Sequence, residues 1–419
     1  MIRIRGRVAA ALTLVALCGG VGTAYPAQAA EAACGQRTQP VFLPELTTPV
    51  VEYGRDSLLD AGGFSGKGVL VAVVDSGVTA ANPHFSADPE AVAAGTSLLP
   101  ATPDLAELRD PAGRADRLDH GTIVAGLIAA RKVSGSGVRG LAPEATILPV
   151  QAFATLSADD PRLGASSPTP IAIATGIRYA VDRGARVIAV PVAMTSGSDE
   201  LAAAVTYAHD KGSLVIASAG DHDAKVATNG PRYPAAYPTV VGVTALAESG
   251  APSPQAVHGE HVDVAAPAQN FNGVVGAFGD CLVAQTPSSD FATGLVAGAA
   301  TLLVQSYPQA TPDEWSYRLL ASAVRPQSDR RDPILGWGVL APHDALTITL
   351  DPTRVGPPRP GTSQIPLQSD RTRGTPIILG ADPTSMTRQA AWWVAGGLIA
   401  LVLGLIMVRA LRQSRTSRG

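Results

Sequence analysis

The sequence predicts an α/β domain in which a parallel sheet is covered by helices on both faces. Val69–Val74 and Leu214–Ser218 are unbroken apolar runs, which strands buried on both faces of a parallel sheet require. Ile171–Arg183 and Leu201–Lys211 have the spacing of amphipathic helices and lie between such runs. Alternation of strands and helices is typical of parallel sheets built from strand–helix–strand units.

The remaining elements continue this alternation between Phe64 and Ile348, without an internal repeat. The other predicted strands are Ala145–Val150, Val187–Val192 and Val240–Thr244, and the other predicted helix is Thr122–Ala130. Residues 87–118 form a long connection, which is a candidate docking surface because long loops in compact domains are often functional.

Composition excludes one class of partner. The formal net charge is -3 over 419 residues. A nucleic-acid-binding protein of this size is expected to show a basic footprint, and none is present. We therefore expect no nucleic-acid partner.

The two ends of the chain predict export and a membrane anchor. A basic start, an apolar run at residues 8–17 and the small residues Ala27–Ala30 have the pattern of a signal peptide. Ala390–Val408 carries no charge and is long enough to span a bilayer. Trp392 and Trp393 lie at its start and four arginines follow it, as expected for an interface and a cytoplasmic flank.

These features divide the chain into six parts. They are a signal peptide (1–30), an N-terminal extension (31–63), the α/β domain (64–348), a Pro-rich linker (349–388), a transmembrane helix (389–409) and a cytoplasmic tail (410–419). The predicted location is the cell membrane, crossed once, with the α/β domain on the extracytoplasmic side.

The number of cysteines is compatible with one disulfide but does not require it. Cys18 lies in the predicted signal peptide, so the mature chain keeps Cys34 and Cys281. One disulfide in an oxidising compartment and two free thiols are both compatible with this number.

Three motifs indicate a family. Asp75 ends the first strand, His120 opens a helix in an Asp-His-Gly-Thr motif, and Asp290–Gly298 opens a third element. In the order aspartate, histidine, nucleophile position, these motifs resemble the subtilisin family of serine proteases, whose order is diagnostic. The resemblance covers residues 64–348 and implies a subtilisin-like fold.

The overall architecture also resembles the mycosins, which are membrane-anchored subtilases of type VII secretion systems. The shared features are the signal peptide, the short extension, the Pro-rich tether and the C-terminal membrane helix. This resemblance implies that the membrane and other secretion components are partners of the chain.

The chemistry departs from the family at three positions. Asp290 stands where the resemblance implies the nucleophilic serine, and a carboxylate is a far weaker acyl nucleophile. Asp221 stands at the oxyanion position, where a carboxylate repels the charge that an amide donor stabilises. Pro191 lies in the strand that pairs with substrate in the family, and it has no N–H to donate.

Two hypotheses from different classes follow. The first is a catalytically inactive structural component of a secretion complex, in which His120 pairs with Asp75 and Asp290. The alternative is an active serine endopeptidase that processes secreted polypeptides through Ser288 or Ser289. A peptide-binding module is a weaker third hypothesis. Metal binding by the clustered acids is disfavoured because hard cations need more ligands, so we expect no metal or cofactor.

Overall fold

The computed structural model of the protein describes residues 41–44, 60–159, 163–222, 228–325, 327, 329–351 and 354–360. The strands are β1 (Leu70–Asp75), β2 (Thr96–Ser97), β3 (Thr146–Gln151), β4 (Val187–Val190), β5 (Leu214–Ser218), β6 (Val240–Leu246), β7 (Val264–Pro267), β8 (Phe271–Val275) and β9 (Gly279–Val283). The α-helices are α1 (Pro83–Ser86), α2 (His120–Ala129), α3 (Pro170–Asp182), α4 (Asp199–Asp210), α5 (Ser289–Ser306), α6 (Pro312–Ser322) and α7 (Pro342–Thr347). Two short 3₁₀ turns lie at Pro103–Leu105 and Gly164–Ser166.

The main sheet is parallel, as the apolar runs predict. Its strand order is β2-β3-β1-β4-β5-β6-β7, and every neighbouring pair in it is parallel. The β8–β9 hairpin forms a separate antiparallel sheet. Both edges of the main sheet are closed or short. The edge strand β7 is bonded to residues 338–340 through Ala265, and β2 has two residues.

The sheet separates two hydrophobic layers. Alternate residues of β1 face opposite sides because side chains alternate along a strand. Val71 and Val73 pack in the layer that contains α2, α5 and α6. Ala72 and Val74 pack in the layer that contains α3 and α4. The predicted covering of both faces by helices is therefore confirmed.

Most predicted elements occur with small shifts of their ends. Helix α2 begins at His120, two residues before the predicted start at Thr122. The predicted strand Val187–Val192 is wrong at its end, because β4 stops at Val190. Pro191 follows immediately and has no N–H with which to continue a ladder.

The candidate docking loop at 87–118 is ordered on the domain. It contains β2, which pairs with β3, and the first 3₁₀ turn. The Gln151 side chain fixes this loop, because its amide donates to the Leu108 carbonyl and its oxygen accepts from the Asp110 N–H. Whether the loop docks a partner remains a prediction.

Candidate active site

The predicted aspartate and histidine lie together at the carboxyl end of the sheet. Asp75 is the last residue of β1, and His120 is the first residue of α2. The Nδ1 of His120 lies 2.9 Å from each carboxylate oxygen of Asp75. Asp75 is fully buried and His120 is 7% exposed. The arrangement orients the imidazole as an aspartate–histidine pair does in a serine protease.

Asp290 occupies the opposite side of the imidazole. It lies in the first turn of α5, and its Oδ2 is 3.5 Å from the Nε2 of His120. Gly294 allows the close approach of α5 to α2, since an added Cβ would lie 3.1 Å from the carbonyl oxygen of Val124. The structure thus brings Asp75, His120 and Asp290 into one row, with a carboxylate in place of a hydroxyl.

The charges of this row fix the protonation of His120. Burial alone lowers the pKa of His120, but the carboxylates of Asp75 and Asp290 outweigh it and hold that pKa well above its ordinary value. This raised pKa favours the imidazolium form of the ring. A general base must accept a proton from the nucleophile, and an imidazolium has no free nitrogen with which to accept it.

Both neighbouring serines bind groups other than the imidazole. Ser288 is the N-cap of α5, and its side chain accepts the N–H of Phe291. Ser289 is fully buried, and its Oγ donates to Oδ1 of Asp221 at 2.8 Å and accepts the N–H of Ala245 at 3.2 Å. The hydroxyl groups proposed for the alternative serine mechanism are both bound elsewhere.

Asp221 binds the start of α5. Its Oδ2 accepts the backbone N–H of Ser289 at 2.7 Å, while its Oδ1 accepts the hydroxyl of the same residue. Burial and the nearby charge of Asp290 raise the pKa of Asp221 to about 7, although the bonds from Ser289 oppose this shift. The predicted oxyanion position therefore holds a buried carboxyl group that retains a proton up to neutral pH.

Three site residues are not identified from the sequence: Asp116 and Phe153 lie outside the motifs, and Phe291 lies within the Asp290–Gly298 motif. Asp116 is buried and accepts the N–H and hydroxyl of Thr122, and burial together with the charge of Asp75 raises its pKa to about 6. Phe153 and Phe291 contact the His120 ring, with centroid separations of 6.4 Å and 5.2 Å. Only the position of Asp116, four residues before His120, could have indicated one of them.

The segment after β4 offers few donors to an added strand. Pro191 has no N–H, and the N–H of Val192 donates to the carbonyl of Val190 at 2.9 Å. A substrate that docks by strand addition needs free main-chain groups at such an edge. The lack of free N–H groups at Pro191 and Val192 agrees with the prediction that a substrate strand would pair only weakly here.

The other predicted features have mixed outcomes. Cys281 is disulfide-bonded, while its predicted partner Cys34 lies outside the described residues, so that pairing remains a prediction. The signal peptide and the transmembrane helix also fall outside the described residues. In the part of the chain that is described, no helix has the length and apolarity to cross a membrane. Among the same residues, no three or more His, Cys, Asp or Glu side chains are grouped so that they could hold a metal ion.

Gly121 is required by the close approach of α2 to β1. A Cβ at this position would overlap the carbonyl oxygen of Gly77 and lie 2.9 Å from the Cβ of Asp75. We expect Gly121→Ala to lower the free energy of unfolding by about 1–3 kcal/mol, as overpacking does. In Gly294→Ala the nearest atom to the new Cβ would be 3.1 Å away, so we expect a smaller loss of unfolding free energy. Urea unfolding midpoints measure both, and an unchanged Gly121→Ala midpoint would contradict the assignment.

The comparison with known proteins establishes the family. The family model described as "Subtilase family" matches residues 66–338. The chain belongs to the subtilase family, as its motif order predicts.

Within that family the chain is similar to mycosins. It is 30% identical over 394 residues to mycosin-1 of Mycobacterium tuberculosis, with 83% of this chain and 82% of the relative covered. It is 32% identical over 240 residues to thermitase of Thermoactinomyces vulgaris, covering 57% and 75% of the two chains. A solved structure described as a serine protease MycP1, an essential component of the type VII (ESX-1) secretion system, aligns with a TM-score of 0.60 and 28% identity, covering 74% and 92%. The chain is thus a mycosin-like subtilase.

Proposed function

We propose that this chain is a membrane-anchored component of a type VII secretion system whose subtilase domain does not cleave peptides. The observation that carries the loss of catalysis is the carboxylate of Asp290, 3.5 Å from His120 where a serine hydroxyl is needed. Asp221 adds a second carboxyl group where an oxyanion would form. The link to secretion rests on the likeness to mycosins.

The complete packing of the fold supports a structural role for the domain. The parallel sheet, both helical layers and the Asp75–His120 pair are complete, whereas carboxyl groups stand at the nucleophile and oxyanion positions. A domain that is kept folded without its nucleophile can serve as a docking body. We infer that it binds other secretion components on the extracytoplasmic side of the membrane, and that residues 389–409 anchor it.

A fluorophosphonate probe tests the loss of serine chemistry. The probe phosphonylates serine residues that a neighbouring base activates. We expect the full-length chain, purified in detergent, to remain unlabelled, as do its Ser288→Ala and Ser289→Ala variants. Labelling that disappears in one of these two variants would overturn the inactive assignment and identify the nucleophile.

A complementation experiment tests the structural role. In a deletion strain of the source organism, the unchanged gene and a His120→Ala variant are expected to restore secretion equally, because His120 performs no chemistry in this proposal. A variant without residues 389–409 is expected to fail. Loss of secretion in the His120→Ala strain, with the protein present at normal level, would contradict the proposal.

A further inference from the structure

A second serine–histidine–aspartate set lies outside the cleft. His84, in helix α1, places its Nε2 2.7 Å from Oδ1 of Asp280 on β9. Ser136 donates its hydroxyl to Oδ2 of Asp280 at 2.6 Å and lies 3.3 Å from the same His84 nitrogen. The side chains of His84 and Asp280 are both fully buried.

The geometry excludes a second hydrolytic triad. In a triad the aspartate and the serine bind opposite nitrogens of the ring. Here both approach Nε2, and Nδ1 lies 2.7 Å from the carbonyl oxygen of Arg131. Because that carbonyl can only accept, Nδ1 carries a proton and donates it. The Arg131 side chain itself turns away and pairs with Asp88. We therefore assign a structural role to these buried residues.

These buried residues hold an N-terminal segment of the chain. The N–H of Leu43 donates to Oδ2 of Asp280 at 2.9 Å, and the carbonyl of Leu43 accepts the N–H of Gly137 at 2.8 Å. Val41 bonds to the hairpin at Phe278 and Asp280, and the Phe42 ring meets the His84 ring edge-on. We call residues 41–43 the strap, and His84, Ser136 and Asp280 the clasp.

The hairpin that carries Asp280 also reaches the active site. Its turn residue Gly276 donates its N–H to the Asp119 carboxylate at 2.8 Å. Asp119 has a left-handed backbone (φ 60°) immediately before His120, a conformation that is costly for a residue with a side chain. Asn82, two residues before His84, donates to the carbonyls of Val275, Gly276 and Gly279 and so fixes the same turn.

We propose that seating of the strap in the clasp sets the position of His120 through the β8–β9 hairpin turn. The contacts run from Leu43 to Asp280, along the hairpin to Gly276, and from Gly276 to Asp119. A strap that leaves the clasp gives up the bonds of Leu43 and Val41 to the hairpin and loosens its turn, which weakens the bond that holds Asp119 in its left-handed conformation. This device is independent of whether the chain cleaves peptides.

The experiment removes the contact from either side in the full-length chain. Leu43→Pro deletes the N–H donor of the strap, and Asp280→Asn removes the charge of the clasp. Hydrogen exchange is measured at the amides of Leu43 and Gly276, and the imidazole resonances of His120 are followed by NMR. In Asp280→Asn we expect the protection of both amides to fall at least about tenfold and the His120 resonances to shift. In Leu43→Pro, Gly276 and His120 are expected to change in the same way, because coupling between linked groups is reciprocal.

Asp313→Asn is the matched control, since it removes a carboxylate 3.0 Å from the partly exposed His209 and should leave all these signals unchanged. The amides of Val73 and Ile216 report on the core. If Asp280→Asn also lowers the protection of these core amides, the whole fold is destabilised. The milder Ser136→Ala variant is then used to test the coupling. Exchange that rises at Leu43 while Gly276 and His120 stay unchanged would overturn the coupling. Unchanged protection at Leu43 in Asp280→Asn and Ser136→Ala would overturn the clasp.

Discussion

Replacing both Asp290 by serine and Asp221 by asparagine is expected to create a chain that a fluorophosphonate labels, whereas Asp290→Ser alone should be labelled far more slowly. The serine supplies the missing hydroxyl on the side of His120 that the Asp290 carboxylate now occupies. Loss of the Asp290 charge also lowers the pKa of His120, so that the imidazole regains the capacity to accept a proton.

The second substitution acts on the developing negative charge. Asp221 repels an oxyanion when it is ionised, while an asparagine donates a hydrogen bond to it. A single donor of this kind is worth about 10²–10³ in rate. We therefore expect labelling of the double variant to exceed that of Asp290→Ser by about this factor. The measurement is the second-order labelling rate of the unchanged chain, both single variants and the double variant.

A His120→Ala change in the double-variant background is the control, and it should abolish labelling. Equal rates for Asp290→Ser and the double variant would show that Asp221 does not oppose the reaction. Absence of labelling in the double variant would place the obstacle elsewhere, with the Phe291 ring against His120 as the nearest candidate.

Asp221→Asn is expected to stabilise the fold at alkaline pH and to have little effect in acid. The pKa of Asp221 rises from 3.8 to about 7 on folding, so the folded chain keeps a proton that the unfolded chain releases. The stability that this proton contributes is complete below about pH 4 and is lost as the pH rises through 7. At pH 8 the folded chain carries two neighbouring carboxylates, and asparagine removes one of them.

The expected gain is about 2–4 kcal/mol at pH 8, since each unit of pKa shift corresponds to about 1.4 kcal/mol. Asparagine keeps one of the two oxygens that accept from Ser289, so the start of α5 keeps one of its two bonds. Urea unfolding between pH 4 and pH 9 measures the effect. Asp104→Asn, at an exposed turn, is the control and should show no such pH dependence. A loss of stability in Asp221→Asn at pH 8 would contradict the assigned charge state.

The sequence predicts the backbone better than the side-chain network. Apolar runs locate β1 and β5 because burial on both faces demands continuous apolar residues, and Pro191 explains where β4 ends. The motifs place Asp75 at the carboxyl end of a strand and His120 and Asp290 at the starts of helices, and these ends meet at one edge of the sheet. These inferences depend on local pattern and strand topology, which the chain displays directly.

Other features arise only from the folded geometry. Adjacent residues at the first turn of a helix face different directions, so the sequence indicates that Ser289 does not replace Asp290, but it does not show that Ser289 binds Asp221. The pKa of Asp221 is raised first by burial and then by Asp290, 69 residues away, and the contact of Asp221 with Ser289 joins positions 68 residues apart. The clasp is likewise assembled from three distant segments, and no motif announces it.

The closed edges of the main sheet have a consequence for the behaviour of the chain in concentrated solution. An exposed strand offers a template on which a second molecule can align its own backbone. In the described part of the chain, β7 is already bonded along its outer side by residues 338–340, and β2 is too short to seed a ladder. At high concentration, the main sheet therefore offers few unpaired backbone N–H and C=O groups to a second molecule. Self-association through a continuous intermolecular sheet is disfavoured.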